Sequence, residues 1–260
     1  ESAGLYNQNQ LIVNVNSKLN QNVSLFGSYM WNRARSNTDG INTSPANPYN
    51  FTGEYGPAAT DIHNRMTFGG SVNTRWNVRL SPLIVLESGP PFDITAGRDI
   101  FGTSLFNARP GIATDPTKPG LIPTRYGLLD PNPTSDEVLL PRNFGRGPGS
   151  VLVNVRISKT IGFGPAREGS VGIGGGPRGP GSPFGGGGAF SSMATSRRYN
   201  LIVSMSIRNA INHTNPGPVV GNITSPLFGQ ANQPSGNLGG GGMSESANNR
   251  RLELQLRFTF

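Results

Sequence analysis

Cysteine is missing from all 260 residues, which excludes a disulfide framework and any thiolate metal site. Histidine is nearly missing. His63 and His213 are the only two, each beside an Asn and near a strand end, which argues against a multi-histidine zinc site as well. Charged residues make up only 14%, short of the ~25% of soluble domains, which is not the composition of a charge-rich disordered chain. Long apolar runs are absent too. The longest clean one, Leu83 to Leu86, has four residues, so a transmembrane helix is excluded and a transmembrane strand is not. The chain opens on Glu1, with no basic start, apolar core or small-residue cleavage site, and reads as a fragment or an already processed chain.

Catalytic signatures are equally scarce. No GxSxG, HExxH or phosphate-loop GK[ST] occurs. Gly174, Gly176 and Gly179 satisfy GxGxxG only inside a glycine tract interrupted by Pro177 and Pro180, with no helix pattern after them. Asp93, Asp99 and Asp130 lie in one long loop without a partner that spacing identifies as acid or base. The expectation is a protein that is not an enzyme and holds no cofactor.

What the chain does have is glycine and proline. With 37 and 22 residues they form nearly a quarter of it, while apolar residues form 34%, which argues against a helix-rich globule. It is also basic, with a formal charge of +8 and a pI near 10.4. The basic residues are dispersed and the aromatics alternate onto apolar faces instead of forming a stacking platform, so nucleic acid is not the expected partner.

Strict alternation of apolar and polar residues, the mark of a strand with unlike faces, recurs in seven stretches: near 7–19, 23–36, 63–76, 78–88, 150–161, 199–211 and 249–260. The last is the cleanest. Leu252, Leu254, Leu256, Phe258 and Phe260 form one apolar face; Arg251, Glu253, Gln255, Arg257 and Thr259 form one polar face. At ~10 to 14 residues the stretches match or exceed the ~9 to 11 that a tilted strand needs to cross a bilayer, and exceed the ~5 to 6 of soluble sheets.

Connections of about 3, 26, 1, 61, 37 and 37 residues separate these stretches, and short and long alternate at first, as they do between the periplasmic turns and extracellular loops of barrels. The fifth breaks the rule: residues 162–198 form a Gly/Pro-rich insert expected to be disordered. Aromatics sit at both ends, with Tyr29 and Trp31 at one and Trp76, Tyr199, Phe258 and Phe260 at the other. The fold expected is therefore all-β: a partial antiparallel transmembrane β-barrel of about seven long strands, spanning 1–260, in the bacterial outer membrane. Asn, Ser, Arg and Lys would line the lumen, and Val, Leu, Ile, Met and aromatics would face lipid. An odd strand count does not close a standard bacterial barrel, which fits a piece of a longer chain.

The stretches ESGPPFDITAGRDIFG, NFGRGPGSVLVNVRISKTIGFG, NLIVSMSIRNAINHTNPG and the terminal LELQLRFTF resemble the C-terminal part of a TonB-dependent outer-membrane receptor, of the Oar-like type whose N-terminal regions carry a carboxypeptidase-regulatory-like domain. The resemblance implies active uptake of a ligand through a 22-stranded barrel, with TonB engaged through an N-terminal part that these residues do not include. It also implies that Leu252, Leu254, Leu256, Phe258 and Phe260 form a recognition signal for the barrel-assembly machinery. A passive porin shares every strand feature, and a secreted soluble β-rich adhesion or structural protein shares the alternation.

The extracellular ligand is not named by the sequence. Loops at 37–62, 89–149 and 212–248 carry Tyr49, Phe51, Tyr55, Phe92, Phe101 and Tyr126, which are the candidate ligand contacts. Arg33, Arg35, Arg142, Arg146 and Arg250 at strand ends would either pair with lipopolysaccharide phosphates or stay solvated at the rim.

Overall fold

The computed structural model describes residues 4–40, 43–47, 50–51, 53–166, 195–235 and 249–260. Seven long strands form the wall: β1 (Tyr6–Lys18), β2 (Val23–Ser36), β4 (Asn64–Asn73), β5 (Val78–Glu87), β11 (Ser150–Ala166), β12 (Arg197–Arg208) and β13 (Arg251–Thr259). Six short ones lie in the loops: β3 (Gly56–Pro57), β6 (Pro91–Phe92), β7 (Gly111–Ile112), β8 (Ile122–Thr124), β9 (Gly127–Asp130) and β10 (Gly145–Arg146). The long strands pair in the order β1-β2-β4-β5-β11-β12-β13, every pair antiparallel, with β3 added beside β2. Each long strand therefore lies beside its long neighbour in sequence, and the wall is an up-and-down meander. No helix forms among the described residues.

Two tight turns explain the hairpins. Asn20 Oδ1 accepts the backbone N–H groups of Asn22 and Val23, both at 2.8 Å, so one amide side chain closes the turn from β1 into β2. Between β4 and β5 the turn spans residues 74–77, longer than the single residue alternation suggests. Thr74 N–H donates to Val78 O at 2.8 Å, and Asn77 takes a left-handed φ of 55°, which Asn tolerates better than most residues. At the far end of the wall β11 runs on to Ala166, so residues 162–166 and 197–198 of the Gly/Pro-rich insert are strand; 167–194 lie outside the described residues.

The two faces follow the alternation. Tyr29, Met66, Leu80, Ile161, Met205 and Leu254 point outward and are substantially exposed. Across β11, β12 and β13, Phe163, Tyr199 and Phe258 stack with centroids 5.7 to 6.1 Å apart, and Phe260 continues the row 6.2 Å from Phe258. That row belongs to the turn end, where aromatic girdles sit in barrels.

The inner face is less uniformly polar than the alternation suggests. Leu83, Val85 and Leu152 are buried there and Phe26 packs against them. The close fit depends on a glycine: a Cβ on Gly69 would lie 2.5 Å from the Phe26 ring. Around this patch run hydroxyls and charges, with Ser24 and Ser71 hydrogen-bonded at 2.8 Å and Arg65 paired to Glu87 at 2.8 Å. Not every wall lysine lines the lumen: Lys159 has the parity of the outward residues Ile157 and Ile161 and is exposed.

Candidate functional site

Three long connections, 37–63, 88–149 and 209–250, leave the wall at the same end, because each joins an upward strand to the downward one beside it. The described parts of these loops fold together into one cap. Its apolar centre is Ile94, Leu129, Leu140 and Ile223, each at most 3% exposed, with Phe92, Ile122, Tyr126 and Phe228 packed around it. Tyr126 is the hub of the aromatics, meeting Phe92, Phe144 and Phe228 edge-on at 5.9 to 6.4 Å. Backbone bridges join the second and third loops: Thr95 N–H donates to Gly221 O at 2.9 Å and Ile223 N–H to Thr95 O at 3.0 Å. Gly221 permits this approach, since a Cβ there would collide with Asp93 O at 1.9 Å.

Buried charge ties the first loop to the second. Glu54 and Arg109 form an ion pair with side chains only 4% and 3% exposed. Arg142 meets Asp39 at 2.9 Å and Glu54 at 3.8 Å, and its Nη1 donates to Asn37 O at 3.1 Å. Asp93 sits beside these groups and accepts the Asn143 N–H at 3.1 Å. Burial dominates there and raises its carboxyl above the ordinary value, against the pull of Asn143, Arg109 and Arg142. A separate group gathers Lys118 with Asp130 and Glu137, the latter at 3.3 Å.

His63 anchors the cap to the strand rim. Its Nε2 lies 2.6 Å from Arg33 Nη1 and 2.7 Å from Arg146 Nη2. The same nitrogen lies 3.0 Å from Asp61 Oδ2, so two guanidiniums and a carboxylate converge on one imidazole nitrogen. Burial first, and then the Arg146 charge, hold the imidazole below its ordinary pKa. Asp61, paired to Arg146, also accepts the Ala34 N–H at 2.7 Å. Burial pushes its carboxyl up, but the Ala34 and Arg146 hydrogen bonds outweigh that and hold it below the usual carboxylate range.

The candidate ligand contacts are dispersed by this arrangement. Phe51 is exposed; Tyr55 is partly exposed, accepts from Asn7 Nδ2 at 2.9 Å and lies under the Arg35 guanidinium at 5.0 Å. Phe92 and Tyr126 belong to the cap interior. Phe101 is half-buried in a separate turn whose Asp99 accepts the N–H groups of Thr103 and Ser104. Tyr49 lies outside the described residues. Leu252, Leu254, Leu256, Phe258 and Phe260 form the exposed outer face of β13 and its end, from 53% to 84% exposed.

Sequence reasoning left Asp93 and Asp130 without partners and set Arg142 and Arg146 at the rim; the fold pairs Asp130 with Lys118, Arg142 with Asp39 and Arg146 with Asp61. Their partners lie 12 to 103 residues away. No local spacing signals such pairs; the only hint was acidic and basic residues recurring in loops too long to be mere linkers. Among the described residues no group of three or more His, Asp or Glu could hold a metal ion.

A protein-family model described as an outer membrane beta barrel domain matches residues 1–250. No curated protein and no solved structure matches the chain.

Proposed function

We propose, from the premise that this chain belongs to the outer membrane β-barrel domain family and resides in the bacterial outer membrane, that it is the C-terminal barrel portion of a TonB-dependent receptor. In this reading it binds a ligand outside the cell and contributes to active uptake, without catalysis, and TonB acts through a region N-terminal to this chain. The barrel-assembly machinery engages β13 through its outer face, Leu252 to Phe260, and membrane lipid and lipopolysaccharide surround the wall.

The observation that carries this reading is the cap. Its loops are not loose tethers but a packed unit with its own apolar centre and buried ion pairs, as suits ligand capture more than free diffusion. Phe51 and Tyr55, on its exposed side, are the contacts this reading favours. The resemblance of NLIVSMSIRNAINHTNPG and the terminal LELQLRFTF to the receptor group supplies the choice of TonB over passive flow.

The test is binding of the periplasmic domain of TonB to the full-length protein purified in detergent, alongside its conductance in planar bilayers. A receptor binds TonB and conducts little. A protein that ignores TonB and conducts steadily is a passive porin.

A further inference from the structure

Charge is segregated along the barrel axis. All eleven described Asp and Glu residues lie in the cap or within three residues of the loop-end terminus of their strand. Twelve of the twenty described Lys and Arg residues share that region, so it is close to neutral. The other eight lie along the remaining wall and its short turns, where no described acidic side chain occurs.

Four of those eight, Lys18, Arg79, Arg156 and Arg257, fall on the inner face by strand register. Neutral groups meet two of them. Arg79 Nη2 donates to Ser71 Oγ at 2.9 Å; Arg156 Nη2 donates to Ser204 Oγ at 3.3 Å and to Gln255 Oε1 at 3.1 Å. For Arg156 the contrast with the loop end is direct, since there Arg65 meets Glu87 at 2.8 Å and Arg208 meets Glu253 at 3.1 Å. Hydroxyls and amides orient a guanidinium without neutralising it, and low-dielectric walls focus the field that remains.

We propose that the inner wall toward the turn end is a binding lane for small anionic solutes, molecules bearing carboxylate or phosphate groups. Arg156, held by two neutral acceptors, keeps donors available for the planar oxygens of such a group. Arg257 lies two residues beyond Gln255 on the same face and supplies the next station toward the turn end. An anion passing the near-neutral cap meets rising positive potential along the wall. The inference rests on the barrel fold and stands whether or not TonB drives transport.

The native chain has no cysteine, so Gln255→Cys introduces a single thiol beside Arg156 in this chain. In outer-membrane vesicles holding the full-length protein, that thiol is treated with an anionic sulfonatoethyl or a cationic trimethylammonioethyl methanethiosulfonate, each rate normalised to a free small thiol. The anionic reagent should react faster by about tenfold at low ionic strength, with the excess shrinking in high salt and in the Arg156→Gln/Arg257→Gln background. Millimolar inorganic phosphate should slow the anionic reagent. Equal normalised rates overturn the proposal. So does failure of both reagents to react, which would mean that polypeptide, such as an acidic segment, seals the wall.

Discussion

The wall and the cap are built from the same chain by opposite means. Wall strands find partners next to them in sequence, through hairpins and register, and bury little: Leu11, Val13 and Leu254 stay largely exposed because lipid is their solvent. The cap gathers partners from far apart, such as Glu54 with Arg109 and Asp39 with Arg142, and buries them as charge. Wall stability thus depends on which face a side chain occupies, and cap stability on whether each buried ion keeps its counterion.

The largest expected effect strikes the cap. Arg109→Met leaves the buried Glu54 carboxylate without its closest cation and should cost about 3 to 5 kcal/mol locally. Limited proteolysis should then cut the loops while the strands stay protected; loss of the strands together with the loops would erase the distinction between the two regions.

Leu254→Arg strikes the wall and should cost roughly 2 to 4 kcal/mol if the site lies at the bilayer midplane, read by urea titration in vesicles. Gln255→Arg, one residue on and facing inward, should be mild. Equal damage from both would undo the assignment of faces.

Gly69→Ala sharpens the comparison inside the wall, because its methyl would press on the Phe26 ring and should cost about 1 to 3 kcal/mol. Adding Phe26→Leu should restore most of that loss in the same titration. No rescue would mean that the glycine is needed for its backbone and not for the ring.

The smallest effect is a pH dependence confined to the cap. His63 has a folded pKa below its ordinary 6.5, so its contribution to stability is fully present above that value and is lost as pH falls through the folded pKa. Protease cleavage of the cap should rise with acidification below 6.5 in the wild type and respond less in His63→Gln; identical profiles would remove His63 from the cap's anchor.

How much of this was legible follows the same division. Period-two alternation displays strand faces directly, and LELQLRFTF could be assigned to an inner and an outer face residue by residue. It fails where both parities are apolar. Within Leu83 to Leu86 the run itself is silent, and only the parity of the flanking Arg79, Ser81 and Glu87 turns Leu83 and Val85 inward, without showing that they meet Leu152 and Phe26 there. The cap was illegible for a different reason. Residues 88–149 read as a loop because Gly and Pro punctuate them, and their five short strands are fixed by tertiary contacts instead of by pattern. Phe92 and Tyr126 look like exposed loop aromatics for the same reason, since only the fold reveals the core they fill.

The central claim is that a lipid-spanning wall carries its cap outside the cell and its short turns inside. It is tested most directly by single cysteines at Phe51, exposed on the cap, and Trp76, exposed in the turn between β4 and β5. A maleimide on a polymer too large to cross the outer membrane is added to intact cells and to cells with that membrane opened. Labelling of Phe51→Cys in intact cells, with Trp76→Cys reached only after opening, is the outcome expected of this wall and cap. Labelling of Trp76→Cys in intact cells, or of Phe51→Cys only after opening, would contradict it.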